Sequence, residues 1–249
     1  GLACAPGAPP FDAADPTSTD VILGLRPFVD DLRRPGALHA AVVLPSVAHG
    51  VLRSVDASQA EAMAGNVRVI QVKANGGSIL HAGEVLAAVV ADTRAQARAA
   101  AAAVRCEVEA TPPTPPSPLA RAVRREGNTQ DAFLRAPHRA GIQITFAAAD
   151  AVPLEPESAL VVPEAAGLLV YSSGHDARGL AEALAAELDA PVRVVLLPSG
   201  GSYGARTVAV AESVAAKLAL TTGSPVSLAL EHEEGTRMRV RRAACVVTA

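Results

Sequence analysis

The chain has 249 residues, half of them hydrophobic, only 2% aromatic, with no tryptophan and a formal net charge of −3. That length suits one or two domains, and a slightly acidic chain without a Lys/Arg block excludes an electrostatic nucleic-acid surface. No uninterrupted apolar run reaches the roughly 18 residues of a membrane span, and the first residues lack the basic and apolar regions of a secretory leader. A cytoplasmic location without membrane contact is therefore expected. Cys4, Cys106 and Cys245 are far apart and form no C-x-x-C, so neither a disulfide framework nor a self-contained zinc or iron–sulfur site is expected. A core built of Ala, Val and Leu buries little area per residue at roughly 25 cal/mol per Å², which points to a chain that leans on neighbours.

Residues 1–20, rich in Ala, Pro, Asp and Thr, read as an irregular arm. Residues 38–44 and 50–55 alternate or run apolar as strands do. Asp56-Ala57-Ser58 caps a short Ala-rich helix ending near Gly65, and 67–72 is a further strand before the Asn75-Gly76-Gly77 turn. The continuous apolar run 85–91 predicts a buried strand. Asp92-Thr93 caps a helix over 94–104, and 106–110 returns to extended structure. Residues 111–118 hold five prolines in eight positions, which neither a helix nor a central strand accommodates; they read as a linker between domains at 21–110 and 119–249. Beyond it, strands are expected at 142–146, 168–172 and 192–197, helices at 176–188 and 206–220, and extended structure at 226–230 and 238–247. The pattern is α+β, mixed α/β in both halves.

The most informative segment follows the strand at 192–197: Gly200, Gly201, Ser202, Tyr203, Gly204, Ala205 and Arg206 before a helix. Glycines after a strand let the backbone approach a ligand, and amides at a following helix start can receive phosphate oxygens. The spacing is neither a P-loop nor a dinucleotide fingerprint. It does match G-x-S-x-G, the nucleophile elbow, but no Asp follows Ser202 and the only later histidine is His232, so the triad order fails. Glu155 and Glu157 flank Pro156 and read as solvated charges in a turn. Arg237, Arg239, Arg241 and Arg242 alternate partly along an expected strand and read as a solvated edge. The histidines lack metal-ligand spacing.

Several segments together resemble one family. Residues 28–43, Ala48-His49, Gly83-Glu84-Val85, Asp92-Thr93, 123–127, Asp131-Ala132-Phe133, Leu154-Glu155-Pro156, 170–173, 200–204 and 223–226 occur in the order found in the large chain of the molybdenum hydroxylases, the xanthine dehydrogenase and aldehyde oxidase family. The resemblance implies an a/b-hammerhead domain before the prolines and the first part of a molybdopterin-binding domain after them. It implies cofactor-binding roles for Gly200, Gly201, Ser202, Tyr203, Gly204 and Arg206, with no catalytic residue or metal ligand in this chain. The molybdopterin cofactor is then shared with a partner chain carrying the remaining binding domains, and iron–sulfur and flavin groups belong to other subunits. The reaction implied is oxidation of an aldehyde or N-heterocycle, by a component not competent alone; the alternative is a non-catalytic homologue with a structural or assembly role. Departures accompany the match: the family's glutamine beside the metal falls at Gly174, its loop phenylalanine at Tyr203, its lysine at Arg206 and a substrate-contacting acid at Thr207. Most of the family's cofactor cage is expected to lie beyond Ala249.

Overall fold

The computed structural model describes residues 16–113, 122–124, 126–206 and 209–249. Most of the expected arm, the linker prolines Pro115, Pro116 and Pro118, Cys4 and Thr207 lie outside the described residues. Pro16–Ile22 forms helix α1. There follow β1 (Leu38–Val43), β2 (Gly50–Asp56), α2 (Ser58–Glu61), β3 (Arg68–Gln71), β4 (Ser78–Ile79), β5 (Ala87–Ala91), α3 (Arg94–Ala103) and β6 (Arg105–Ala110). The remainder comprises α4 (Thr129–Arg135), β7 (Gln143–Phe146), β8 (Ser158–Glu164), β9 (Gly167–Ser172), α5 (Ala177–Leu188), β10 (Val192–Leu196), α6 (Val210–Thr222), β11 (Val226–Ala229), α7 (His232–Met238) and β12 (Cys245–Thr248). The fold is mixed α/β.

Seven strands form one sheet in the order β10-β9-β8-β11-β1-β5-β3. Strands from both sides of the proline segment meet where β1 pairs in parallel with β11, Leu38 opposite Val226 and Ala40 opposite Leu228. The sheet centre is covered on both faces, which explains why its strands read as continuous apolar runs rather than alternations. Ala40, Val42, Ala88, Val90, Ala159, Val161 and Val170 face α6. On the other face, Ala41, Val43, Ala87, Val89 and Ala91 pack with Ala97 and Ala100 of α3. Small residues on both helices let their backbones lie close to the sheet, so alanines fill space that larger side chains would overpack. A smaller sheet, β4-β2-β6, closes over Leu52, Ile79 and Leu86.

The expected helix at 94–104 forms as α3, its Thr93 Oγ1 accepting the Gln96 N–H at 3.2 Å. β8 and α4 have no counterpart in the sequence reading. β8 runs S-A-L-V-V-P-E with Pro163 inside it; the proline is tolerated because the β8–β11 ladder extends only from Ser158 to Val161, so no β11 carbonyl awaits its missing N–H. Three expectations need correction in extent. The end of the arm, read as irregular, is helical from Pro16. The helix expected from residue 206 begins at Val210. Most of the expected extended run 238–247 is not strand, and β12 starts only at Cys245.

Pairing direction brings chain ends together. β9 and β10 are parallel, β8 runs antiparallel to β9, and β11 antiparallel to β8. The carboxyl ends of β9, β10 and β11 and the segment entering β8 therefore converge at one edge. Two backbone bonds fasten them: Leu197 N–H to Ser172 O and Leu230 N–H to Glu157 O, both 2.9 Å.

Candidate functional site

The glycine loop leaves β10 at this edge. Gly201 (φ +107°), Tyr203 (φ +50°) and Gly204 (φ +86°) all take left-handed backbone, a conformation that glycine adopts freely and tyrosine does not. Tyr203 is 79% exposed, so its conformation is not explained by burial of the ring. A Cβ on Gly200 would lie 2.7 Å from Glu155 Cβ, and one on Gly201 would lie 3.0 Å from the Tyr203 ring, whereas Gly204 faces open space. Ser202 Oγ accepts the Arg206 N–H at 3.3 Å and Ser202 O the Ala205 N–H at 2.8 Å. Among the described residues no histidine bonds Ser202, so its hydroxyl braces a turn and the elbow geometry is not built.

Glu155 is not solvated, a correction to the sequence reading. Its Oε2 accepts the Gly200 N–H at 2.6 Å and lies 3.2 Å from Arg206 Nη2. Arg206, buried, also donates to Glu155 O at 2.5 Å and to the Ser173 hydroxyl. Both ends of the loop are thus tied to the segment before β8 and to the end of β9. Burial raises the Glu155 pKa, against the opposing Gly200 N–H and Arg206 charge.

A second buried carboxyl lies behind the first. Ser172 Oγ donates to Glu212 Oε1 at 2.5 Å and accepts the Gly174 N–H at 2.9 Å. Burial pushes Glu212 up from its ordinary pKa, the Ser172 bond and the Arg206 charge acting in the other direction. A cavity of about 450 Å³ opens here between α5 and α6. Gly174 forms part of its wall; a Cβ there would meet Ser172 Oγ at 3.1 Å.

The arginines expected on a solvated edge divide. Arg239 is buried, its Nε 3.1 Å from Glu157 Oε1 and its Nη1 3.5 Å from Asp150 Oδ1. Burial alone would raise the Asp150 pKa, but hydrogen bonds from Val152 and Thr236 and the Arg239 charge hold it below the usual value. Arg237 donates to Pro45 O and, at 2.9 Å, to Ala82 O. Arg241 and Arg242 line a second hollow of about 430 Å³ with Asp150, Tyr203 and Gly204. Glu157 is likewise paired rather than solvated. Gly200 to Arg206 form one contiguous loop at the strand ends; the sequence singles out neither Ser173 nor Glu212, and Arg239, read there as solvated, is paired. One signal was available for Glu212, a lone charge at helical spacing from Ala215, Ala216 and Ala219.

Among the described residues no group of three or more His, Cys, Asp or Glu could hold a metal ion, and no helix is long and apolar enough to cross a membrane.

A mixed sheet with helices on both faces and an irregular, ion-paired loop at the carboxyl ends of its parallel strands is an architecture in which α/β proteins seat ligands. The family described as "Molybdopterin cofactor-binding domain" matches residues 113–249, more than half of the chain. The chain belongs to this family, that of the molybdenum hydroxylases. Aldehyde oxidase 2 of Cavia porcellus is 28% identical over 83% of this chain, and a probable xanthine dehydrogenase component of Bacillus subtilis (strain 168) is 26% identical over 91%. Among solved structures, the aldehyde oxidoreductase from Desulfovibrio gigas superimposes with a TM-score of 0.79 at 22% identity over 92% of this chain, and CO dehydrogenase from Oligotropha carboxidovorans with 0.77 at 20% over 91%. The chain spans 18% and 35% of the two relatives' lengths and 31% and 35% of the two structures' chains.

Proposed function

We propose that Gly200, Gly201, Ser202, Tyr203, Gly204 and Arg206 form one wall of a molybdopterin site. In this reading the chain is a cytoplasmic component of a molybdenum hydroxylase that oxidises an aldehyde or an N-heterocycle. Residues 21–110 act as its a/b-hammerhead domain and 119–249 as the first part of its molybdopterin-binding domain, joined by the prolines of 111–118. A partner chain supplies the rest of the cage, and iron–sulfur and flavin groups sit on other subunits. The observation that carries this reading is the loop's bracing. Glu155, Ser173 and Arg206 hold a glycine backbone rigid at the strand ends, while among the described residues the amides of Gly201 to Gly204 donate to no protein acceptor.

The residues present fit such a group. Free amides suit an anionic cofactor's oxygens, Gly204 leaves its face open, and the loop itself carries no carboxylate to repel an anion. When bound, the cofactor supplies the two-electron oxidation chemistry. This chain's part is to present amides, to keep the loop from collapsing and, through Arg241 and Arg242, to make the adjoining hollow positive.

Purification of the chain from its native host is expected to bring a larger partner, with molybdenum measurable by elemental analysis; a monomer without molybdenum overturns the proposal. Gly201→Val forces a branched side chain onto φ +107° against the Tyr203 ring. It is expected to lower molybdenum and pterin content at least tenfold while circular dichroism stays unchanged, and full cofactor retention would sink the loop assignment. A non-catalytic role is the second reading, favoured by Gly174, which presents no side chain to the cavity it lines. Co-purification of the partner without molybdenum selects it.

A further inference from the structure

β7 and β12 pair with each other and with no strand of the other sheets, and the two strands have no part in the proposed role of the glycine loop. Ile142 and Ala249 exchange both backbone bonds, at 2.8 and 2.9 Å, and Ala149 and Arg242 do so again at the far end. In an antiparallel ladder such pairs alternate with pairs that exchange none. Ile144 with Val247 and Phe146 with Cys245 therefore bond inward. The N–H and C=O groups of Gln143 and Thr145 face outward along one edge, and those of Val246 and Thr248 along the other.

Ile142, Ile144, Phe146, Val246 and Val247 are between 41% and 58% exposed, and none joins a buried cluster among the described residues. A two-stranded ribbon is marginal in water and gains from a third strand, and an open edge is a template for one. Charge decides what kind of strand fits. The whole chain carries −3, yet residues 136–149 and 240–249 hold Arg139, Arg241 and Arg242 and not one Asp or Glu. Arg139 precedes the ribbon at one end, its guanidinium over the exposed Phe133 ring at 5.5 Å, and exposed Arg241 and Arg242 mark the other. Asp150, which shares a hollow with Arg241 and Arg242, is committed to Arg239. Both ends of the ribbon are thus positive, so a second copy pairing in either direction sets arginine against arginine.

We propose that the β7–β12 ribbon takes up an extended segment of another polypeptide as a third strand, one that alternates β-branched residues and carries acidic residues at both ends. Its backbone bonds to the outward groups of one edge, its apolar side chains extend the face of Ile144, Phe146 and Val247, and its acids meet Arg139 at one end and Arg241 and Arg242 at the other. The inference rests on the ribbon alone and holds whether or not the glycine loop binds a cofactor.

The test uses the full chain and a synthetic peptide, acetyl-Glu-Glu-Val-Thr-Val-Thr-Val-Glu-Glu-amide, followed by fluorescence polarisation and by amide hydrogen exchange read in NMR spectra. Saturable one-to-one binding is expected, at least tenfold weaker for the same peptide with lysines in place of the glutamates. Versions N-methylated at the valines and at the threonines should differ at least tenfold, because only one alternate set of amides faces the ribbon. Bound peptide should slow exchange at Gln143 and Thr145 or at Val246 and Thr248, and the pair that is slowed assigns the edge. Thr145→Pro and Val246→Pro each remove an outward N–H and spare the bonds within the ribbon; one of them should abolish binding and the other leave it. Arg139→Glu is expected to weaken the acidic peptide about tenfold. Gly201→Val should leave binding intact, so failure of the molybdopterin reading and failure of this one are distinguishable. Absence of binding, equal binding of the acidic and lysine peptides, or unchanged exchange at both edges overturns the proposal. So does a dimer of the chain that protects the same amides and that the peptide does not displace, since the occupant is then a second copy.

Discussion

Arg206 makes contacts with two other segments: the carboxylate and carbonyl of Glu155, and the hydroxyl of Ser173. With side chains 4% and 11% exposed, this pair is a buried ion pair, for which removing one partner is far worse than removing both. Arg206→Met strands the Glu155 carboxylate and is expected to destabilise the chain by about 3 kcal/mol. Adding Glu155→Gln should recover a large part of that loss. Urea unfolding of the two single variants and the double variant measures the coupling; additive losses would show that the two side chains do not act as a unit. The sequence named Arg206 because it follows the glycines, and misread Glu155 because a carboxylate beside a proline resembles an exposed turn. Which neighbours a charge finds across 51 residues is not encoded in its local spacing.

At the scale of elements, α6 carries the instructive conflict. Its buried face, Ala211, Val214, Ala215, Leu218 and Ala219, packs on the sheet, yet Glu212 in its first turn is buried too. A carboxylate near a helix N-terminus interacts favourably with the dipole, but burial outweighs this and raises the pKa. The sign of the linkage follows. With a folded pKa above the ordinary 4.5, Glu212 stabilises the fold below the unfolded value and loses that contribution as pH rises through the folded one. The melting temperature of the wild type relative to Glu212→Gln is therefore expected to fall as pH is raised from about 4.5 upward, by thermal scans at matched ionic strength. A flat difference would mean that Glu212 titrates normally. Elements with strong local signals were legible: the capped α3, the apolar β5, the amphipathic α5. β8 was not, because its apolar run, Ala159–Val162, is only four residues long before Pro163 and carries no alternation to mark it.

For the whole molecule, β7 and β12 form a two-stranded sheet apart from the main one. The register sets Ile144 opposite Val247 and Phe146 opposite Cys245, so one face is apolar while Gln143, Thr145 and Thr248 share the other with Val246. Phe146 is 52% exposed and Val247 47%. Two strands alone are marginal in water, and an uncovered apolar face promotes association. Phe146→Ser is expected to reduce self-association of the isolated chain at high concentration, seen by light scattering, with no loss of melting temperature. Unchanged association would place the sticky surface elsewhere.

Composition, periodicity and turn chemistry determined by themselves that this is a mixed α/β chain with a glycine loop after a strand, and the ordered set of family segments pointed to the molybdenum hydroxylases. These signals are local or sequential, so they survive without coordinates. Only the tertiary structure decided that β1 joins β11 in a sheet spanning the proline segment, and that Glu155, Glu157, Glu212, Arg206 and Arg239 turn inward at the strand ends, where the arginines pair with Glu155 and Glu157. The reason is physical: strand direction brings together residues far apart in the chain, and a charge is buried or solvated according to the partners that pairing delivers.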